Sequence, residues 1–364
     1  MKTSPLHVTN PSLAPLEEFI EILKPAWESG VLTHNGPLVQ KLEIDLCNAL
    51  NVNHFACVTN GTIALQLAIK ALDLRGEIIV PAFTWIASVS AIKWENCTPV
   101  FCDIDKKTLN IDTNKIEQLI TDKTVGIMPV HVFGTPCDVY KIQRIAEKHN
   151  LKIIYDAAHA LGSTVDSQSV LSFGDISATS LHATKLLNSG EGGGCITNNV
   201  NLHERLKRIR FFGHSEDKSD IIEDGLNAKM TEVHAALGLA NLKYFKNVLE
   251  DRKEKYRFYQ NQLCSIKNIS FQSQNIGESN CSYFPIIFES EKELLEVVEK
   301  LNSLNIFPRR YFYPSVNTFS KILSYKSCPI SEEISKKIIC LPLFKNLKNE
   351  DINLICNQII EYFH

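Results

Sequence analysis

Short apolar runs alternate along the first half of the chain with longer stretches whose apolar positions recur every three or four residues. Phe55-Ala56-Cys57-Val58, Ile78-Ile79-Val80, Pro99-Val100-Phe101, the stretch 124–130 and the stretch 151–155 are runs of the first kind. Positions 62–72, 86–94 and 139–149 carry the helical spacing, as do Leu16, Phe19, Ile20 and Leu23 before them, with a further helix expected over 37–50. Strands that are apolar throughout, separated by helices, predict a mostly parallel sheet covered on both faces and an α/β fold.

After Asp175 the rhythm changes. Shorter strands are expected over 176–181 and 194–197, and one long helix over 231–262, rich in Ala and Leu at first and charged later. Such a helix would pass from one domain into the next. Beyond it a strand at 283–288, a helix at 291–304 and a last helix at 349–362 read as a small α+β unit. The expected organisation is a large domain over 1–245 and a smaller carboxy-terminal one over 246–364. The charged, aperiodic stretch 213–225 reads as a loop.

At 364 residues the chain is long enough for two cores, and 44% hydrophobic with 22% charged residues is ordinary for a soluble globular protein. A net charge of -3 offers no basic field for nucleic acid or an anionic membrane. The 11 cysteines include no C-x-x-C pair, and Cys57, Cys97, Cys102 and Cys195 each fall singly in apolar segments. They read as buried free thiols in a reducing compartment. No run approaches the length of a membrane span, and residues 1–10 lack a signal-peptide core, so the expected location is the cytoplasm.

Lys185 is the most informative residue. It lies between an apolar-leaning segment and the cluster Gly190-Glu191-Gly192-Gly193-Gly194, without the charged neighbours of an ordinary helix face. A lysine so placed can shed its proton and attack an aldehyde. Upstream, Tyr155-Asp156-Ala157-Ala158-His159 closes an apolar run. An acid at a strand end and a reactive lysine are what pyridoxal phosphate (PLP) chemistry needs: the carboxylate keeps the pyridine nitrogen protonated and the amine forms a Schiff base.

Other groups fit the same cofactor, though each has a plainer reading. Thr59-Asn60-Gly61-Thr62, between a strand and a helix, suits a phosphate or is a simple turn. Ser180 offers that phosphate a hydroxyl, or is a satisfied strand serine. Trp85, in Pro81-Ala82-Phe83-Thr84-Trp85, stacks on a flat ring or belongs to the core. Asp156 is otherwise a cap or a surface acid, and His159 otherwise a buried histidine bonded to backbone. Asp103 and Asp105 read as solvated acids at a strand end, and His131 and His182 lack metal-ligand spacing. Arg309, Arg310 and Tyr311 sit in a basic, aromatic cluster that suits a sugar nucleotide or is a surface loop with incidental charge.

Taken in order, several segments resemble the DegT/DnrJ/EryC1/StrS sugar aminotransferases, fold type I PLP enzymes acting on nucleotide-linked ketosugars. They include Ser29-Gly30-Val31-Leu32-Thr33 with Asn35-Gly36-Pro37, Asn60-Gly61-Thr62, Pro81 to Trp85, Asp156-Ala157-Ala158-His159, His182-Ala183-Thr184-Lys185, Gly225-Leu226-Asn227 with Met230-Thr231-Glu232, and Leu341-Pro342-Leu343. The resemblance implies that Lys185 is the Schiff-base lysine, that Asp156 meets the pyridine nitrogen, that Trp85 stacks on the ring and that His159 lies near its O3′. It implies that Gly61, Thr62 and Ser180 hold the phosphate, and that Asn227 reaches the phosphate of a neighbouring subunit in an obligate homodimer. Relatives that dehydrate their sugar carry histidine where this chain has Lys185. The His-Ala-Thr-Lys and Arg-Arg-Tyr-Phe-Tyr-Pro segments look most like the branch that makes dTDP-4-amino-4,6-dideoxyglucose from a 4-ketosugar with L-glutamate as amino donor. Branches making 3-amino sugars, perosamine or 4-amino-arabinose share most of the motifs.

Overall fold

The computed structural model describes residues 4–364, so the first three positions of the amino-terminal stretch lie outside the described residues. Its centre is a seven-stranded sheet in the order His54–Val58, Gly193–Thr197, Ile176–Ser180, Lys152–Asp156, Thr124–Ile127, Glu77–Pro81, Thr98–Cys102. The five strands from Ile176–Ser180 to Thr98–Cys102 are mutually parallel. Gly193–Thr197 runs against both of its neighbours.

The continuous apolar runs are explained by burial on two sides. Ile78 and Val80 pack into one apolar layer and Ile79 into the other. Ile154 likewise faces one layer, and Ile153 and Tyr155 the opposite one. Successive side chains of a strand alternate between faces, so a sheet covered twice needs apolar residues at every position. Helices Gly61–Ala71 and Ile86–Trp94 supply one layer, while Pro37–Leu50 and Glu232–Leu242 cover the other.

A third core, drawn from Tyr259 to Ile359 together with Leu6, surrounds the small sheet of Ile269–Phe271, Phe284–Phe288 and Ile338–Leu341. A fourth apolar cluster joins the two parts of the chain. It holds Phe83, Val130 and Phe133 from the large sheet's strand ends beside Tyr283, Phe312 and Ile338 from the carboxy-terminal third. This seam borders the main cavity of the molecule.

The single helix expected over 231–262 is two, Glu232–Leu242 and Phe245–Leu263. The break follows the switch in composition. The Ala/Leu half is buried against helices Leu16–Ser29 and Pro37–Leu50, and the charged half leaves that groove. Tyr244, with φ -103° and ψ -1°, turns the chain, and both Lys243 and the Tyr244 hydroxyl bind Glu18 of the first helix. Glu232 is fully buried, where its carboxylate accepts hydrogen bonds from the Leu38 and Val39 amides at 2.7 and 3.1 Å. It thereby satisfies two free donors at the start of helix Pro37–Leu50, which lacks a side-chain cap of its own.

Asp103 is a further correction to the sequence reading. It is buried, not solvated: its carboxylate accepts from the amides of Ile330 and Ser331 at 3.0 and 2.8 Å, capping helix Pro329–Lys337. Among the described residues, no helix is long and apolar enough to cross a membrane.

Candidate active site

The parallel strands all end on one edge of the sheet, and ligands of open α/β sheets bind outside such carboxyl ends. A cavity of about 840 Å³ lies there. Gly61, Thr62, Trp85, Asp156, His159, Ser180, Lys185, Arg309 and Tyr311 all line it. Residues spread over 250 positions of sequence thus converge, because each follows the end of a strand or the seam beside it.

At one side of the cavity Asn60 caps helix Gly61–Ala71 by accepting the Ile63 amide at 2.9 Å. The amides of Gly61 and Thr62, in the first turn, have no carbonyl within the helix to bind and are free for an anion. Close approach explains two glycines here. A Cβ on Gly61 would meet Ser180 Cβ at 3.0 Å, and one on Gly193 would meet the Asn60 carbonyl carbon at 2.5 Å. Ser180 is buried at the strand end directly behind this turn.

Asp156 ends strand Lys152–Asp156 and is 6% exposed. Its Oδ2 accepts from the Ser88 hydroxyl at 2.6 Å and its Oδ1 from the Ala158 amide at 3.1 Å. Burial raises its carboxyl above the ordinary value, and the Ser88 and Ala158 bonds and the Lys185 charge pull it back. His159 stacks on Phe133 and Phe312, with ring planes within 7° and 11° of parallel. Its Nδ1 is buried without a hydrogen-bond partner among the described residues. Burial, and after it the Lys185 charge, hold the ring well below its usual pKa, so it is neutral.

Lys185 follows a tight turn in which its amide binds the His182 carbonyl at 2.8 Å. The side chain is half-buried within the cavity. The low-polarity walls lower its amine from 10.5 to about 8, against the pull of Asp156 in the other direction. A free amine is the reactive form of a lysine, so the rate at which the protein condenses with an added aldehyde, pyridoxal phosphate for example, is expected to rise with pH and level off above about pH 8. A rate that climbs on towards the range of an exposed lysine, in stopped-flow absorbance, would contradict this.

Two sequence candidates lie elsewhere. Arg310 turns away from the cavity: its guanidinium binds Glu291 at 2.6 Å and the Lys336 carbonyl at 3.0 Å, and covers the Tyr313 ring at 3.5 Å. Asn227 is exposed and accepts from Lys229 Nζ at 2.6 Å, without lining the cavity of its own chain. The sequence reading also passed over residues that do line it, among them Lys229, His182, Glu191, His234 and Tyr283. Lys229 sits 4.2 and 4.7 Å from the rings of Phe211 and Phe212, and burial lowers its pKa. Its place between Asn227 and Met230, both in segments that resemble the family, is the one signal the sequence offers. Arg309 lies 4.6 Å from the Tyr311 ring and 5.8 Å from that of Trp85, a cation held against aromatic faces at the cavity wall.

Similarity to known proteins runs through the entire arrangement. The model of the DegT/DnrJ/EryC1/StrS aminotransferase family matches residues 15–360. Over 365 residues the chain is 43% identical to the dTDP-4-amino-4,6-dideoxy-D-glucose transaminase of Shigella dysenteriae, covering 98% of this chain and 99% of that one. Among solved structures, DesI in the presence of its TDP-sugar product aligns with a TM-score of 0.94 at 29% identity, over 100% of this chain and 94% of that one. The PLP form of the putative sugar aminotransferase Spr1654 from Streptococcus pneumoniae aligns with a TM-score of 0.91 at 26% identity, over 98% of each. Sequence and fold both match over nearly the whole chain, and the chain belongs to the DegT/DnrJ/EryC1/StrS aminotransferase family.

Proposed function

We propose that this aminotransferase uses pyridoxal phosphate to move the amino group of L-glutamate onto C4 of dTDP-4-keto-6-deoxyglucose, giving dTDP-4-amino-4,6-dideoxyglucose and 2-oxoglutarate. The observation that carries the reading is one cavity holding an amine lowered to about 8 and a buried carboxylate, with an arginine on its wall. The activity for which the 43% identical Shigella dysenteriae relative is named supports the substrate.

The chain's own groups fit the cofactor. The free amides at Gly61 and Thr62 and the Ser180 hydroxyl suit its phosphate, and Trp85 offers an indole face to the ring. The unpartnered Nδ1 of His159 suits a ring oxygen. Bound there, pyridoxal phosphate supplies an aldehyde for Lys185 and a ring that withdraws electrons from the donor's Cα.

The protein's part is then to bind, orient and move protons. Asp156 would hold a proton on the pyridine nitrogen through its buried negative charge. Lys185 as a free amine would carry the proton from the Cα of glutamate to C4′ of the cofactor, a task suited to a base of pKa about 8. Arg309 and Tyr311 bind the pyrophosphate of the sugar nucleotide. Asn227, exposed on its own chain, serves the phosphate of a second copy, which makes the working form a homodimer with composite sites. The cofactor-binding domain reaches to residue 245, apart from strand Leu6–His7, which pairs with Ile306–Phe307 and joins the smaller domain of residues 246–364; that domain closes the cavity with Tyr283, Arg309 and Tyr311. All 11 cysteines are free thiols, which supports the cytoplasm as the place of action.

Incubation with pyridoxal phosphate, L-glutamate and a panel of 4-keto and 3-keto deoxysugar nucleotides tests this. Mass spectrometry and NMR should find the 4-amino product from the dTDP-linked 4-ketosugar together with 2-oxoglutarate. Amination of a 3-ketosugar alone, or a product formed without glutamate, would overturn it.

A further inference from the structure

We infer that Ser88, oriented by Thr84, is a positioning residue that fixes the carboxylate of Asp156 in place and keeps it ionised. The inference rests on the reading of Asp156 as the partner of the pyridine nitrogen. Ser88 lies in the first turn of helix Ile86–Trp94 and is 0% exposed; Thr84, just before that helix, is 1% exposed. Ser88 Oγ stands 2.6 Å from Asp156 Oδ2 and 2.8 Å from Thr84 Oγ.

Proton counting gives the chain a direction. A hydroxyl has one proton, and an ionised carboxylate only accepts. Ser88 therefore donates to Asp156, and Thr84 must donate to Ser88. With the Ala158 amide on Oδ1 at 3.1 Å, both carboxylate oxygens are tied from different elements, so the group cannot swing about its last torsion. Each oxygen keeps a lone pair for a donor in the cavity. Hydrogen bonds to the charged form favour that form, which opposes the raising of the Asp156 carboxyl by burial. Ser88 touches neither cofactor nor substrate, since it does not line the cavity; it acts through Asp156. Without it the carboxylate becomes a stronger base and draws the proton off the ring nitrogen.

The test uses the full chain loaded with pyridoxal phosphate labelled with 15N in its ring. In the native protein the nitrogen should resonate as the protonated form. In Ser88→Ala it should move towards the unprotonated position, with kcat lowered about 10- to 100-fold, the loss of one hydrogen bond to a charged group, and KM for the sugar nucleotide unchanged. Ser88→Cys, a weak donor of similar size, should fall between the two. Thr84→Val removes the donor that orients Ser88 and should shift the signal the same way by less; because Thr84 also lines the cavity, this variant is judged on the ring-nitrogen signal and not on KM, and it decides the matter if Ser88→Ala does not load cofactor. A nitrogen that stays fully protonated in both Ser88→Ala and Thr84→Val overturns the inference while leaving Asp156 in its role. A native protein whose ring nitrogen carries no proton, or an Asp156→Asn variant with an unmoved signal, overturns the role of Asp156 and this inference with it.

Discussion

Lys185→Ala is expected to lower transamination by at least about 10,000-fold, the upper range for loss of a positioned acid–base group, because the same amine also makes the covalent tie to the cofactor. Arginine at 185 should be as inactive as alanine. It restores the positive charge but stays protonated at any working pH, so it serves neither as nucleophile nor as base. That pairing separates the chemistry of the amine from the electrostatics of a cation beside Asp156. The fold should survive, since the cavity walls disfavour the lysine's charge: its amine is lowered from 10.5 to about 8 in the folded chain. Below about pH 8 the folded protein holds a charge it resists, so removing the side chain costs no stability and the melting temperature stays level or rises. Borohydride reduction followed by peptide mass spectrometry should find the cofactor on Lys185 in the native protein and on no residue in either variant. Attachment at another lysine, with turnover retained, would remove Lys185 from its role.

The sheet could be read from the sequence because burial on both faces leaves a continuous apolar signature, as at Ile78-Ile79-Val80. The strand-end residues Gly61, Trp85, Asp156 and Ser180 could be read for the same reason, since a parallel sheet sends every strand's carboxyl end to one edge. What escaped depends on distant partners. The break at Lys243 and Tyr244 answers to Glu18, more than 220 positions away, and both residues are acceptable inside a helix. Asp103 looks like a surface acid until Ser331 is brought against it. Arg310 is different, since local geometry gives a reason for its place. The Tyr311 amide binds the Arg309 carbonyl at 3.1 Å, a tight turn with Arg310 at its apex, and the Arg310 side chain leaves the cavity for Glu291 and the Lys336 carbonyl while Arg309 and Tyr311 line it. Treating the three as one cluster ignored that turn.

Asp156→Asn is the second large effect, a fall in kcat of about 1,000-fold, the top of the range for losing one preorganised electrostatic contact. The amide keeps the shape of the carboxylate and loses its charge, so it cannot hold a proton on the pyridine nitrogen. The surrounding hydrogen bonds can adjust. The new Oδ1 accepts the Ala158 amide, and the new NH2 donates to Ser88, which can turn its own proton to Thr84. The Thr84 hydroxyl, which lines the cavity, then turns its own proton into that space, so the variant should fold. Because burial raises the carboxyl of Asp156, the cofactor-free native protein loses that group's stabilising contribution as pH rises through its raised pKa. The asparagine variant has nothing to ionise there, so without cofactor it should melt no lower than the native chain at neutral pH. The half-reaction with glutamate alone, followed by absorbance in single-turnover mixing, should slow in the same proportion as the full reaction. Arg309 and Tyr311 are untouched, so KM for the sugar nucleotide should hold. Turnover within about tenfold of the native rate would mean that this carboxylate contributes little of the electrostatic stabilisation assigned to it.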